Sequence, residues 1–245
     1  MIHFDENQIF IVTGISSGIG KQVGLLLNQL GAKVVGIDRN ENSFSEVLSL
    51  AKNKDLMFFE KRDFLENTEE LTDFVKSLKE KYGKFHGLVC CAGIDEIVTL
   101  RNLDASHTDK IFKINYLAPL MLVKGFADKR NNDGEGAGIV LIASIAATNP
   151  EKGQITYAGT KAALLASAQS ISKELAPSKI RINCVSPAPV NTPLLADNPY
   201  KEELFSRCKL GVIDPMDVAN MVAYLLSDLS LKITGRNFVI DGGYL

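Results

Sequence analysis

The stretch Gln8-Ile9-Phe10-Ile11-Val12-Thr13-Gly14-Ile15-Ser16-Ser17-Gly18-Ile19-Gly20 runs an apolar strand-type segment straight into a glycine-rich turn, and an amphipathic segment, Lys21 to Leu30, follows at once. Strand, glycine turn and helix in that order are what a dinucleotide site needs. Glycine at 14 permits a tight turn, glycine at 18 lets backbone approach a pyrophosphate, and glycine at 20 lets the helix sit close on the strand. The helix start presents free N–H groups to an anion. Gly14, Ser16, Ser17, Gly18, Ile19 and Gly20 are therefore cofactor-binding candidates.

Working outward, the next apolar run, Lys33 to Ile37, ends in Asp38, eighteen residues after Gly20, where an acidic residue meets adenosine ribose hydroxyls. A carboxylate there accepts hydrogen bonds from the ribose of NAD and repels the extra phosphate of NADP. Two unit charges ~4 Å apart repel by about 4 kcal/mol at an effective dielectric near ~20, on the order of a thousandfold preference before screening. Arg39 works against this, because a guanidinium pairs with phosphate. Ser17 offers no second cation, so NAD is the expected cofactor and NADP the lesser one.

Further strand-type runs lie at Leu56 to Lys61, His86 to Cys91, Gly138 to Ala143, Ile180 to Val185 and Asn237 to Asp241, alternating with helical stretches. Such alternation predicts an α/β chain: a Rossmann-type, doubly wound parallel sheet of about seven strands with helices on both faces. Nothing interrupts the chain like a linker, and residues 1–245 read as a single domain. Asn67 or Thr68 is expected to cap a helix beginning with Glu69 and Glu70 and followed by Gly83, and Asp214-Pro215 to open another.

The chemistry points to a second segment, Thr156-Tyr157-Ala158-Gly159-Thr160-Lys161, with Ser144 thirteen positions before its tyrosine. On a helix, Tyr157 and Lys161 share a face. A free phenol ionises near pH ~10, too high for a base at neutral pH. A neighbouring ammonium stabilises the phenolate, and the positive ring of an oxidised nicotinamide adds to the effect, so Tyr157 is expected to titrate low enough for general acid/base work. Ser144, closing the Gly138 to Ala143 strand, would hold the substrate oxygen. Taken alone, a Tyr-Lys pair at this spacing also arises on ordinary helices.

From Ile9 onward the chain resembles the short-chain dehydrogenase/reductase family, its motifs in the family's order and spacing. The resemblance implies reversible transfer of a hydride between a nicotinamide cofactor and a secondary alcohol or ketone of a small substrate. It makes Asn115, Ser144, Tyr157 and Lys161 the catalytic set, with Asn115 shaping a helix and carrying a relay water, and with Tyr157 and Lys161 also at the nicotinamide ribose. Asp63 and Phe64 would meet the adenine, Cys91, Ala92 and Gly93 would line the dinucleotide, and Pro187, Val190 and Thr192 would cradle the carboxamide. Two departures stand out. Cys90-Cys91 occupies the place of the family's usual Asn-Asn, putting stability or the fit of the adenosine ribose in question, and Pro187-Ala188 replaces Pro-Gly, tolerable only if φ at Ala188 is negative.

A formal charge of -2 with interspersed signs excludes a nucleic-acid stripe or a polybasic membrane patch, and no apolar run approaches a membrane span. Met1 to Glu6 lack a secretory pattern. Cysteines 90, 91, 184 and 208 and histidines 3, 86 and 107 show no metal-ligand spacing, so no metal and a reducing cytoplasm are expected. The helix Thr156 to Leu175 carries five alanines by Ala168, and the resemblance implies that it packs on a second subunit in a homotetramer or homodimer. Residues 194–210 read as a short substrate lid. Three alternatives stay open: an NADPH-linked reductase of 3-oxoacyl thioesters, for which Lys124, Lys129 and Arg130 hint at a carrier-docking patch; an epimerase or dehydratase on the same scaffold; and a non-enzymatic NAD-binding protein.

Overall fold

The computed structural model describes residues 2–196 and 198–244. Seven parallel strands form one sheet in the order β3-β2-β1-β4-β5-β6-β7, with β1 at Ile9–Thr13, β2 at Lys33–Asp38, β3 at Met57–Lys61, β4 at Gly87–Cys90, β5 at Gly138–Ile142, β6 at Arg181–Pro187 and β7 at Asn237–Ile240. Each lies within two residues of its predicted run. The helices are α1 (Gly18–Gln29), α2 (Phe44–Leu50), α3 (Leu71–Tyr82), α4 (Ala105–Phe112), α5 (Ala118–Ala127), α6 (Ile155–Leu175), α7 (Lys201–Ser206) and α8 (Pro215–Leu226).

The apolar runs are continuous because a parallel sheet covered on both faces has no wet side. Every residue of β1 and β5 is buried. Alternate residues then divide between two cores: Phe10 and Val12 pack under α1 and α8 with Val23, Leu27, Val218 and Val222, while Ile9 and Ile11 join Val75, Leu122, Phe126 and Leu164 on the other face. Strand order reverses between β1 and β4, so crossovers leave in opposite directions and a crevice opens at the carboxyl ends of those strands.

Local signals held in part. Helix α1 begins at Gly18, three residues before its amphipathic segment, because the glycine turn is itself the first helical turn. Asp214 opens α8 with a capping box, its N–H donating to Asp217 Oδ2 at 2.9 Å. Asn67 does not cap as expected. It adopts a left-handed conformation (φ 44°), Thr68–Glu70 forms a 3₁₀ turn, and the Thr68 hydroxyl donates back to the Phe64 carbonyl at 2.9 Å. Between α4 and α5, Lys113–Leu117 forms a π-helical turn with Asn115 inside it.

Candidate active site

Each wall of the crevice is built by the end of a strand. In the turn after β1, Gly14 has φ +70°, and a Cβ at Gly20 would stand 2.2 Å from the Gly14 carbonyl oxygen, so neither position admits a side chain without moving backbone. The start of α1 has no side-chain cap and no acidic residue in its first turn, leaving its N–H groups for an anion. Asp38, ending β2, accepts hydrogen bonds from the backbone N–H of Ser16 and of Asn40, both at 3.2 Å. Ser16 itself donates its hydroxyl to the Asn40 carbonyl at 3.0 Å and so stiffens the wall.

Gly14, Ser17, Gly18, Ile19, Gly20, Asp38, Arg39, Asp63, Phe64, Ala92 and Gly93 line one half of the crevice. Ser144, Tyr157, Lys161, Pro187 and Val190 line the other, and Ile19, Cys91, Gly93, Thr192 and Leu194 border both, making one continuous groove. These residues fit an extended dinucleotide: a glycine cradle at an open helix end for phosphates, a braced carboxylate for ribose hydroxyls, and a polar recess beyond it. Ala188 avoids the left-handed region, as an alanine flanked by prolines must, and its N–H donates to the Ile240 carbonyl at 2.9 Å.

The Cys90-Cys91 departure is explained by Thr13. Its hydroxyl oxygen accepts the backbone N–H groups of Cys91 and Ala92, both at 3.0 Å, so the loop is pinned through its backbone and needs no asparagine side chain. Burial pushes the Cys90 thiol up to about 12 and the Cys91 thiol higher still, leaving both as inert wall.

In the second half, Ser144 follows β5 and accepts the Ala146 N–H at 3.1 Å. Lys161, buried on α6, donates to the Ile142 carbonyl at 2.8 Å with its ammonium 5.5 Å from the centroid of the Tyr157 ring. Burial lowers that ammonium to about 8, while surrounding thiols and Asp95 hold it up. The lowering of Tyr157 expected from Lys161 together with an oxidised nicotinamide is not met in the protein alone. Desolvation and then the Asp95 charge push its phenol upward, and the Ser144 hydroxyl pulls back only partly. Asn115 does not line the groove. Its Oδ1 accepts the Ile94 N–H at 2.9 Å and its Nδ2 donates to the Ile94 carbonyl at 2.8 Å and reaches Thr160 Oγ1 at 3.4 Å, so the side chain clamps loop 93–94 from behind.

Three participants, Thr13, Arg62 and Glu151, escaped the sequence reading, whereas Asp95 lies in the segment Ile94 to Val98 that was expected to set specificity. Thr13 was seen only as part of the turn. Arg62 lines the adenosine end, its guanidinium donating to the Asn67 carbonyl at 3.0 Å and stacking on Phe74. Asp95 faces the substrate recess. Glu151 accepts from the Tyr244 hydroxyl at 3.0 Å and from Arg207, whose guanidinium stacks on Tyr244, tying the segment after α7 to the recess wall. Only the general rule that ligands gather at the carboxyl ends of parallel strands could have flagged Arg62. Asp197, within the expected lid 194–210, lies outside the described residues; Leu194, Leu195, Asn198 and Leu204 of that stretch line the recess. Two of the three histidines acquire carboxylates in the fold: His107 lies 2.7 Å from Glu96 and His86 3.6 Å from Asp133.

Residues 14–245 match the family model described as Enoyl-(Acyl carrier protein) reductase. A 3-oxoacyl-acyl-carrier-protein reductase of Thermotoga maritima is 30% identical over 97% of this chain and 98% of its own length. A short-chain type dehydrogenase/reductase structure from Mycobacterium ulcerans is 30% identical, superposes with a TM-score of 0.88, and covers 98% of this chain and 90% of its own. The chain belongs to the short-chain dehydrogenase/reductase family. Within that family of oxidoreductases it is also similar to an L-xylulose reductase of Caenorhabditis elegans, 30% identical over 98% of this chain and 96% of the relative. No helix among the described residues is long and apolar enough to cross a membrane.

Proposed function

We propose that this short-chain dehydrogenase/reductase interconverts a ketone and a secondary alcohol on a small molecule, with NAD(H) preferred. The observation that supports this most is the convergence of Ser144, Tyr157 and Lys161 in a recess continuous with the glycine-cradled groove. A bound nicotinamide supplies the hydride donor or acceptor and, when oxidised, a positive ring that draws the phenol down. Ser144 holds the reacting oxygen, and Tyr157 exchanges a proton with it. In the protein alone burial keeps the phenol protonated, so it carries the proton that ketone reduction consumes; Lys161, near 8, stays largely cationic at neutral pH and would restrain the ribose and the phenol together. Asn115 is a positioning residue for the loop that carries Gly93.

Asp38 supports NAD: a carboxylate braced by the Ser16 and Asn40 N–H groups would repel the second phosphate of NADP. Arg39 and Arg62 on the same end favour the second reading, an NADPH-linked 3-oxoacyl-thioester reductase as the name of the Thermotoga relative suggests. Weighing against it, Arg130 is bound to Asp128 at 2.5 Å, and Lys124 to Arg130 sit where α5 ends beside Phe85 and Asn132, at the amino ends of the strands and away from the groove. Assembly as a homotetramer or homodimer through α6 and location in a reducing cytoplasm, consistent with four free thiols, belong to the same proposal. Ketones, alcohols and 3-oxoacyl thioesters, assayed with NAD(H) and NADP(H) side by side by reduced-nicotinamide absorbance, test it. Net oxidation of NADH by a small ketone, substituted or plain, is the expected result; NADPH-dependent turnover confined to thioesters selects the second reading. Substrate conversion with no net cofactor change identifies an epimerase or dehydratase, and no conversion a non-enzymatic binder.

A further inference from the structure

Two acidic neighbours, Asp95 and Glu96, leave the loop after β4 in opposite directions. Glu96 is exposed and paired, 2.7 Å from His107 and 3.9 Å from Lys110. Asp95 turns inward, lines the recess, and its Oδ1 is buried with no hydrogen-bond partner among the described residues. It lines the same recess as Ser144, Tyr157 and Lys161.

The carboxylate is also held still. Asn115 grips both backbone groups of Ile94, and three residues past Asp95 the Val98 N–H donates to the Gly153 carbonyl at 2.8 Å. A short span pinned at both ends cannot swing its carboxylate out to water cheaply, and a buried acceptor left unpaired is costly. With Glu96 N–H beside the carboxylate and Oδ1 left without a partner in the recess, a donor on the substrate would satisfy Oδ1. Lys161 nearby disfavours a cationic donor, so a neutral hydroxyl fits better than an ammonium. Asn149, Gln154 and Asn198 on the same wall make the recess suited to a hydroxylated molecule.

We propose that Asp95 is a specificity-determining residue that accepts a hydrogen bond from a substrate hydroxyl one or two carbons from the reacting carbonyl, making the substrate a hydroxyketone or the corresponding diol. The inference rests on the reading of Ser144 and Tyr157 as the groups that hold the reacting oxygen. It assigns the recess to polyhydroxylated substrates and away from plain alkyl ketones.

The test compares hydroxyacetone with butanone, which replaces the hydroxyl by a methyl, in the parent protein and in Asp95→Leu and Asp95→Asn. The parent is expected to favour hydroxyacetone in kcat/KM by about tenfold to a hundredfold. Asp95→Leu should erase that preference while retaining turnover of butanone, and Asp95→Asn, which keeps an acceptor oxygen, should fall between. An unchanged preference in Asp95→Leu overturns the proposal, as does a higher kcat/KM for aminoacetone than for hydroxyacetone. If no carbonyl is turned over, the assignment of the reaction fails separately. Calorimetric binding of propylene glycol against secondary butanol to the NAD-loaded protein then decides the role of Asp95. Tighter diol binding that Asp95→Leu abolishes supports it, and equal affinities overturn it. Thermal melts and NAD titration of both variants show that the fold is intact.

Discussion

The two halves of the groove are made of different materials. The half proposed for the dinucleotide is largely backbone: a glycine turn, an uncapped helix end, and a loop pinned by its N–H groups to Thr13, with Asp38, Arg39, Arg62 and Asp63 at its far end. The substrate half is side chains, with Tyr157, Lys161 and Asp95 among its titratable groups. Backbone recognition tolerates changes such as Cys90-Cys91 because the hydrogen bonds do not depend on what the side chains are. A site built from buried ionisable groups has no such slack, since removing one charge shifts the others.

Breaking the side-chain half should therefore produce the largest effect. Tyr157→Phe removes the proton donor while keeping the ring, and kcat is expected to fall by about a thousandfold with NAD affinity unchanged. A kcat near the parent value would erase the distinction between the halves. In the dinucleotide half, Asp38→Ala should lower the ratio of NAD to NADP kcat/KM by on the order of a hundredfold, mostly through NADP gaining, because the mutation removes a repulsion. Parallel losses with both cofactors would mean that Asp38 only braces the wall through Ser16 and Asn40. Arg207→Ala, which unties Glu151 from the segment after α7, should raise KM by about fivefold with kcat little altered, as expected when an ordered lid contact is lost. A fall in kcat alone would contradict this.

The smallest change is a shift in pH profile. Tyr157 is faced by the Asp95 and Lys161 charges, and Asp95 raises it. Asp95→Asn removes that charge, so the phenol ionises more readily and alcohol oxidation, which needs the ionised form, should begin at lower pH. Lys161, which Asp95 holds up, should lose its proton earlier as well, bringing the alkaline limb down in the same direction. An unmoved profile would separate Asp95 electrically from the reacting centre.

Sequence alone determined the order of strands and helices, because period and glycine placement are local properties and a doubly covered parallel sheet leaves little choice of burial. It also marked Gly14 to Gly20, Asp38, Ser144, Tyr157 and Lys161, which the fold draws along one groove. Only the tertiary structure decided how those groups titrate and what surrounds them. Tyr157 rises because desolvation depends on packing from every side, Asn115 is absorbed by Ile94, and Asp95 is turned inward while its neighbour faces solvent. Such outcomes depend on distances between residues far apart in the chain, and no spacing within a single segment encodes them.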